Sequence, residues 1–548
     1  MSRSPLFANV TRALRIARYC EELRIPTQDA LAIVREAEQD AARRSPTRRD
    51  WLKRVGQASA AGAIGSLAAP FERVFAGGTR AAAPDVGIVG AGLAGLACAD
   101  ALASRGVVAT VYDAATRAGG RCWSLRGFFP GQVAERGGEF IDNLHKTMLG
   151  YARRFGLSVE DVTKKPGDVV YYLNGQHISE EVVVDEFRDF VAVMRADLRK
   201  LSREVTALSH SPDDVALDNT SLVAYLDGAN GAGVPAGPIA RAAIREAYLA
   251  EFGLEPDEQS CLNFLLFIHA DRRSKFTPFG VFSDERYHIV DGNDRIVDGL
   301  TQALPQAVRS STKLTSLRRL ASGAIELGFE TPAGPLSRSH DVVVIAIPFT
   351  TLRAVALHPN LGLPAAQRSA IDLLGYGTNA KMMIGFNARP WRSQGSSGAS
   401  YSDLAHHQAT WETNPARATA TRAVLTDYSG GDRGSSLNPG AVQAEAAAFL
   451  DDADLVFPGL KAAASRRSDG TLVAHLEHWP SNPLMLGSYT CYKPGQFTTI
   501  AGLEGLPVGN LYFAGEHTNS FYEWQGFLEG AAVSGLDAAN AILRGSKK

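Results

Sequence analysis

Residues 85–113 carry the pattern that most restricts the fold of this chain. The apolar run DVGIV predicts a buried strand, the turn GAGLAG (90–95) follows it, and LACADALASRG predicts a helix. In such a unit Gly90 permits the tight turn, Gly92 lets the backbone approach a pyrophosphate, and Gly95 lets the helix pack closely on the strand. A second predicted strand, VVATVY, ends at Asp113. This order predicts a Rossmann-like unit that binds a dinucleotide.

The same turn narrows the choice of dinucleotide. The helix that starts near Ala94 presents free N–H groups and a positive dipole end, both of which favour phosphate. Asp113 lies 18 residues after Gly95, where a carboxylate can accept hydrogen bonds from a ribose. A carboxylate there favours an unphosphorylated ribose, so the turn by itself favours FAD or NAD over NADP and leaves both open.

The residues that follow Asp113 carry a more specific signature. The stretch DAATRAGGR (113–121) resembles the E-A-x-x-R-x-G-G-R motif of the flavin-containing amine oxidase superfamily, which includes monoamine, polyamine and L-amino acid oxidases. The stretch ERGGEF (135–140) resembles that superfamily's second glycine pair. The resemblance implies FAD, with Arg117, Gly120 and Arg121 near its phosphates and Gly137, Gly138 and Glu139 along the flavin.

The far end of the chain resembles the C-terminal flavin motif of the same superfamily, in LYFAGEHT (511–518) and GFLEGAAVSG (526–535). By this resemblance Gly515 and Glu516 lie at the cofactor, and Glu516 binds the ribityl chain. The backbone N–H of Leu528, at the start of the last helix, faces the flavin ring. A helix dipole there stabilises negative charge on the reduced flavin.

Two middle segments complete the expected fold. KLTSL (313–317), with Leu314, resembles the strand whose backbone meets adenine, and DVVVIAIP (341–348) resembles a buried strand of the family. The predicted fold class is therefore α/β, a FAD-binding Rossmann-like domain of the glutathione-reductase type with an inserted α+β substrate domain. The predicted boundaries are 1–83 for an N-terminal extension with its signal, 84–150, 291–350 and 491–548 for the FAD-binding parts, 151–290 for a mainly helical lid, and 351–490 for the substrate domain.

Three aromatic residues are candidates for the reaction site. The stretch around Tyr489 resembles the segment that carries the first of two rings on the flavin face in amine oxidases. Phe527 aligns with the second ring, and Trp479 aligns with a tryptophan near the cavity. Covalent monoamine oxidases have a cysteine directly before the first ring, whereas this chain has Ser488, which cannot form the thioether. We therefore predict non-covalent FAD.

A fourth candidate comes from a departure. Many members of the superfamily hold a water near flavin N5 with a lysine side chain. By the resemblance this lysine lies fourteen residues before a second lysine on a buried strand, which in this chain is Lys381. That count gives Gln367, whose amide can hold a water by hydrogen bonds but carries no positive charge. A shift of one residue would place Arg368 there instead. Gln367 is thus the predicted water-holding residue.

The resemblance implies an oxidase that moves hydride from an amine carbon to flavin N5 and reduces O2 to hydrogen peroxide. L-amino acid oxidases carry an arginine in a G-x-M-R motif soon after the second glycine pair, but this chain reads GGEFIDNLHKTMLGYARR there. A primary amine is therefore favoured as substrate. His269, Arg272 and Arg273 offer another carboxylate site, so an L-amino acid oxidase stays open. A catalytically weak flavin-binding protein and a C–C desaturase are further alternatives.

The charge distribution separates an N-terminal extension from the rest of the chain. Residues 1–83 hold 14 Lys+Arg and 8 Asp+Glu, although the whole chain has a net charge of only −2. Within this extension TRRDWLK (47–53) and a weakly apolar stretch resemble a bacterial twin-arginine export signal, with small residues at 81–83 for cleavage. This implies the export machinery as a partner and a periplasmic or secreted location. Whether residues 1–46 are retained stays open.

The remaining composition limits other partners. A near-neutral net charge argues against nucleic acid as a main partner. The five cysteines show no CxxC spacing, so no metal site is expected and the thiols are expected to be buried as small apolar groups. The sequence is compatible with a homodimer.

Overall fold

The computed structural model describes residues 12–13, 16–18, 20–21, 23–44, 83–164, 167–269, 285–415 and 421–545. The predicted twin-arginine segment, Arg272 and Arg273 lie outside these residues. Within them, no helix combines the length and the apolar character needed to cross a membrane.

Strands and helices both occur throughout the described part of the chain. The strands are β1 (Val86–Val89), β2 (Ala109–Tyr112), β3 (Ser124–Leu125), β4 (Ala134–Glu135), β5 (Val159–Asp161), β6 (Asp168–Leu173), β7 (Gln176–Ile178), β8 (Tyr287–Ile289), β9 (Lys313–Arg319), β10 (Ile325–Thr331), β11 (Gly334–His340), β12 (Val342–Ile345), β13 (Ala356–Leu357), β14 (Ala380–Phe386), β15 (Ser396–Leu404), β16 (His407–Glu412), β17 (Ala423–Ser429), β18 (Ala474–His478) and β19 (Leu511–Phe513). The α-helices are α1 (Thr27–Arg44), α2 (Leu93–Ala103), α3 (Lys146–Arg154), α4 (Glu180–Leu198), α5 (Pro212–Asp218), α6 (Leu222–Leu226), α7 (Pro238–Phe252), α8 (Cys261–His269), α9 (Arg295–Ala303), α10 (Phe349–Leu352), α11 (Ala365–Leu373), α12 (Pro390–Ser393), α13 (Gly431–Ser436), α14 (Val442–Val456), α15 (Leu460–Ala463), α16 (Gln496–Thr499) and α17 (Leu528–Gly545).

A four-stranded parallel sheet of order β19-β12-β1-β2 forms the centre of one half of the molecule. Its strands come from three separated stretches of the chain, and β1 is buried along its whole length. Helices α2 and α17 pack against each other beside this sheet. Their backbones come so close that a Cβ atom at Gly535 would overlap the carbonyl oxygen of Ala94. This is the predicted Rossmann-like domain, assembled from separated stretches.

A second sheet of order β11-β10-β9-β13 contacts the parallel sheet through β11 and contains β9, the strand predicted to meet adenine. On β9 the side chains of Leu314 and Leu317 are buried, while Lys313 is exposed. The strand thus places Leu314 at the edge of the cofactor domain.

The other half of the molecule contains a seven-stranded sheet of order β18-β14-β17-β16-β15-β6-β7. Strands β14, β16 and β17 are buried at every position, because the sheet is covered by α14 and by α7. Residues 151–290, for which we predict a mainly helical lid, contain α4 to α8 and also contribute β6 and β7 to this sheet. The lid and the later substrate segment therefore share one sheet.

All five cysteines are buried free thiols, as expected from their spacing. The thiols of Cys98, Cys122 and Cys261 have pKa values above the ordinary range because burial disfavours the thiolate. Their role is therefore packing.

Candidate active site

A cleft of about 680 Å³ is lined by residues from both halves of the molecule. Val89, Asp113 and Ala346 line it from the ends of parallel strands, and Lys381, Trp411 and Tyr428 line it from the seven-stranded sheet. All predicted site residues except Gly95 and Gln367 line this cleft, namely Gly90, Gly92, Ala94, Asp113, Arg117, Gly120, Arg121, Gly137, Gly138, Glu139, Leu314, Trp479, Tyr489, Gly515, Glu516, Phe527 and Leu528.

The glycine turn shows why each glycine is needed. Gly90 has a φ of 108°, which favours glycine, and a Cβ atom there would meet the carbonyl oxygen of Ala346 at 2.5 Å. A Cβ atom at Gly92 would meet nothing within 4 Å, so the space beside it is open to a ligand. At Gly95 a Cβ atom would overlap the carbonyl oxygen of Gly90. Gly95 therefore serves the packing of helix on turn, the role predicted for the third glycine, and does not line the cleft.

Asp113 holds this turn in place. Its carboxylate accepts hydrogen bonds from the backbone N–H of Ala91 at 2.6 Å and of Ala115 at 2.7 Å. Burial raises the pKa of Asp113, against the effect of these N–H groups and of Arg117. Because each carboxylate oxygen has two lone pairs, Asp113 can still accept a bond from a ribose in the cleft.

Arg117 is oriented by its own loop. Its guanidinium donates to the carbonyl oxygens of Ala118 at 3.0 Å and Gly120 at 2.5 Å, and it lies 3.8 Å from the ring centre of Trp123. Arg136 approaches the same ring at 3.1 Å. An indole between two guanidinium groups holds both cations by cation–π attraction. Arg117 thus brings a positive charge to the cleft wall in a defined orientation.

Arg121 and Glu516 connect the cofactor motif at 113–121 with the C-terminal motif at 511–518. Arg121 donates to the carbonyl oxygen of Ser488 at 2.6 Å and to Glu516 at 3.0 Å, and the hydroxyl of Thr490 donates to the other carboxylate oxygen at 2.9 Å. Burial opposes ionisation of Glu516, but Arg121, His517 and the hydroxyl of Thr490 together outweigh it and keep the pKa of this carboxyl below its ordinary value. The site therefore presents an ionised carboxylate whose position is fixed from two sides.

Lys381, which served only as the reference for the count to Gln367, lines the cleft itself. Its ammonium group donates to Glu139 Oε2 at 2.8 Å, to the carbonyl oxygen of Gly137 at 2.8 Å and to that of Glu135 at 3.2 Å. The indole N–H of Trp411 donates to the second oxygen of Glu139 at 2.9 Å. Lys381 and Glu139 are both buried, so this ion pair is desolvated and hydrogen-bonded throughout.

Gln367 does not lie in the cleft, which corrects its predicted role. Its side chain is 2% exposed on α11 and donates to the carbonyl oxygen of Leu506 at 2.5 Å. The adjacent Arg368 pairs with Asp372 at 2.8 Å, where both side chains are solvent-exposed. The strand lysine from which the count started is itself the cleft residue. A signal was available, because a lysine in the otherwise apolar strand AKMMIGF needs a buried partner.

An aromatic wall, defined as Trp411, Tyr428, Trp479, Tyr489 and Phe527, lines the cleft beside this ion pair. The Tyr428 hydroxyl donates to the Tyr489 hydroxyl at 2.9 Å, and Tyr489 donates to the carbonyl oxygen of Glu251 at 2.6 Å. The rings of Trp411 and Tyr428 meet edge to face at 5.4 Å. Sequence reasoning missed Trp411 and Tyr428, because single aromatic residues in buried strands resemble core residues.

Phe527 and Trp479 each contact a residue outside the aromatic wall that fixes the orientation of the ring. Phe527 packs edge to face against His145 at 5.4 Å, and the indole of Trp479 donates to the carbonyl oxygen of Arg136 at 3.0 Å. Burial lowers the pKa of His145 to about 3, so this imidazole stays neutral. The supports of both rings are therefore uncharged.

Helix α17 begins at the cleft. Leu528 and Ala531 line the cavity, so the positive dipole end of α17 faces it. The carboxylate of Glu529 accepts from the backbone N–H groups of Thr147 and Met148 at 2.8 Å each, which ties the start of the helix to α3. A negative charge that develops in the cleft would be stabilised by this helix end.

Ser488, the residue directly before Tyr489, has a buried hydroxyl group at the cleft. Its hydroxyl donates to the amide oxygen of Asn379 at 2.6 Å and lines the cleft next to Tyr489. An alcohol in this position offers hydrogen bonding and no thioether.

These observations fit a flavin dinucleotide. The turn leaves open space at Gly92, Asp113 and Glu516 present carboxylates, and the aromatic wall with α17 provides an apolar pocket that has a positive dipole end. Of the basic residues that line the cleft in the described part of the chain, Arg117 and Arg121 belong to the cofactor motifs, Lys313 begins β9, and Lys381 is paired with Glu139.

Comparison with known proteins agrees with this geometry. A family model described as flavin-containing amine oxidoreductase matches residues 93–543. The L-amino-acid oxidases of Notechis scutatus scutatus and Bungarus fasciatus are each 24% identical over 476 and 478 residues, which are 84% of this chain and 87% of each relative.

Solved structures show the same fold. Cyclohexylamine oxidase from Brevibacterium oxydans IH-35A superposes with a TM-score of 0.71 at 21% identity, covering 85% of this chain and 100% of that one. Wild-type putrescine oxidase bound to putrescine superposes with a TM-score of 0.68 at 18% identity, covering 84% and 99%. Identities this low establish the fold and leave the substrate to be argued from the cleft.

Proposed function

Since the chain belongs to the flavin-containing amine oxidoreductase family, we propose that it is an FAD-dependent oxidase of a primary amine that reduces O2 to hydrogen peroxide. The observation that carries the proposal is one cleft in which a dinucleotide turn meets an aromatic wall. Bound FAD supplies the hydride acceptor. The residues of the chain bind it, orient the amine and exclude water.

Non-covalent binding of FAD is supported by Ser488. The phosphates would lie at Gly92 and Arg117, a ribose at Asp113 and the ribityl chain at Glu516. Denaturing wild-type holoenzyme in acid should release all of its flavin into the supernatant as intact FAD. Yellow colour that stays with the precipitated protein would contradict this proposal.

The character of the cleft supports an apolar amine as substrate. Tyr489 and Phe527 offer ring faces and edges, and the Lys381–Glu139 pair adds no net charge. An amino acid would bring a carboxylate into this space, and a carboxylate is bound best by a bidentate arginine. Among the described lining residues, the two arginines are both engaged on the cofactor side.

The second candidate is an L-amino acid oxidase, which the 24% identical relatives favour. A peroxide assay on the holoenzyme with apolar primary amines and the matching L-amino acids separates the two. Turnover of the amines with little turnover of the amino acids supports the first proposal. Activity with amino acids alone would replace it by the second.

Export is a separate part of the proposal. TRRDWLK (47–53) supports recognition by a twin-arginine machinery and a periplasmic or secreted location. Replacing Arg48 and Arg49 together by lysine should keep the protein in the cytoplasm of a bacterial host, as judged by cell fractionation. Export that is unaffected by the double substitution would refute this part. The homodimer stays a prediction, and sedimentation of the holoenzyme would test it.

A further inference from the structure

The segment that precedes the predicted export signal is part of the folded molecule. Its described residues between 12 and 23 are helical, and α1 follows after a turn at Arg24, which has a φ of 56°. Helix α1 packs on α4, a helix of the half of the molecule that contains the seven-stranded sheet.

Apolar side chains at helical spacing make this contact. Those of the extension recur three and four residues apart on one helix face, and each is at most 4% exposed. They belong to one continuous apolar cluster with the side chains of α4. This cluster extends well beyond the two segments, and among its members are Ala13, Ile16, Ala17, Cys20, Ala30, Leu31 and Val34 from the extension, and Val183, Val184, Phe187, Phe190 and Val191 from α4.

Polar contacts tie the same two segments together at their edges. Arg12 pairs with Glu180 at the start of α4. Two turns further along α4, Arg188 pairs with Glu21 at 2.9 Å and donates to the hydroxyl of Thr27 at 2.7 Å. Arg188 therefore contacts the extension on both sides of the turn at Arg24. These two contacts fix the position of the extension along α4.

A signal segment that is removed after export does not need an apolar contact and ion pairs with the folded enzyme. We propose that the described residues between 12 and 44 belong to a docked subunit of the enzyme, which stays bound to α4 when the chain is cut between residues 45 and 82. The mature enzyme would then consist of two polypeptides held together by the apolar face and the ion pairs described above. This inference does not depend on the identity of the substrate.

The docked segment also supports the candidate active site from a distance. Helix α4 packs on α7, and the carbonyl oxygen of Glu251 in α7 accepts the hydroxyl of Tyr489 on the aromatic wall. Loss of the segment would expose the apolar face of α4 and loosen its packing on α7. The amine-oxidation rate is therefore a second readout of docking.

The test is a controlled cut in the full-length holoenzyme. A recognition sequence for a specific protease is inserted between Ala60 and Ala61, and the purified protein is cleaved and passed over a size-exclusion column at micromolar concentration. We expect the two fragments to co-elute in equal amounts, with flavin content and turnover unchanged. Elution of the N-terminal fragment apart from the rest would overturn the proposal.

Two neighbouring residues of α1 provide the matched control. Val34 is 4% exposed and belongs to the apolar cluster that the extension shares with α4, whereas Ile33 is 42% exposed. In the cleavable protein Val34→Asp should release the fragment, and Ile33→Asp should retain it. Val34→Thr, which keeps the shape, serves if the aspartate variant does not fold, and we expect it to weaken fragment binding about tenfold. Equal retention in all three variants would show that this face does not hold the segment.

Discussion

The two sides of the cleft are built in different ways. The cofactor side, made of the turn 90–95, Asp113, Arg121 and Glu516, consists mostly of backbone and of residues inside short contiguous motifs. The aromatic wall consists of single side chains from separate parts of the chain, two on strands β16 and β17 and three outside the strands, and the buried Lys381–Glu139 pair lies beside them. A fault on the cofactor side is therefore expected to cost cofactor or folding. On the other side, loss of a polar group from a ring of the aromatic wall is expected to cost turnover, whereas loss of the buried ion pair beside the wall is expected to cost stability.

The largest loss of stability should come from breaking the Lys381–Glu139 ion pair beside the aromatic wall. Lys381→Met leaves the buried Glu139 carboxylate without its cation, which should lower the free energy of unfolding by about 3–5 kcal/mol. Denaturant unfolding of the holoenzyme measures this loss, and adding Glu139→Gln should restore part of it. The surface pair of Lys461 and Asp451 is the control, and Lys461→Met should cost no more than about 1 kcal/mol. Equal losses would mean that the Lys381 pair is not desolvated.

The next effect separates two glycines of the cofactor turn. Gly95→Ala would force a Cβ atom against the carbonyl oxygen of Gly90 and should cost about 1–3 kcal/mol of stability or more. Gly92→Ala should leave the stability of the apoprotein nearly unchanged, because its Cβ atom meets no protein atom within 4 Å, and should weaken FAD binding instead. Thermal melting of the apoproteins and flavin titration give the two readouts. The same loss of apoprotein stability in both variants would contradict the distinct roles.

A smaller effect is expected from the hydroxyl groups of the aromatic wall. Tyr489→Phe keeps the ring but removes the bond to Glu251, which should cost about 1 kcal/mol and lower kcat/KM by misorienting the ring. In Tyr428→Phe, Tyr489 still donates to Glu251, so the fall in kcat/KM should be smaller. Steady-state peroxide assays compare them. A larger fall for Tyr428→Phe would show that Tyr428 itself contacts the substrate.

The smallest effect should come from acid titration of the cofactor side. The pKa of Glu516 is held below its ordinary value of 4.5 in the folded protein. Its contribution to stability should therefore be fully present above that value and be lost as the pH falls through the lower folded pKa. Melting temperatures of wild type and Glu516→Gln between neutral and acidic pH measure this, and their difference should shrink below pH 4.5. A difference that grows on acidification would reverse the sign of the pKa shift.

The same contrast explains what the sequence could and could not predict. The cofactor turn, Glu516 and Leu528 were identifiable because their neighbours along the chain are their neighbours in space. The prediction that Gln367 lies in the cleft was wrong, because a fixed count along the chain does not give the position of α11 in the folded protein. Trp411 and Tyr428 carried no local signal, since neither is near the other cleft residues in sequence.

The parallel sheet, the dinucleotide turn and the flavin family are predictable from the amino-acid sequence, because backbone geometry and close approach restrict residue type within a few positions. The pairing of Lys381 in the cleft and the hydrogen-bond chain from two tyrosines to α7 become visible only in the folded molecule. The tertiary structure also shows that the described part of the N-terminal extension packs on α4. Burial and pairing depend on which strands and helices come together, and residues far apart in the chain share no local pattern that could predict it.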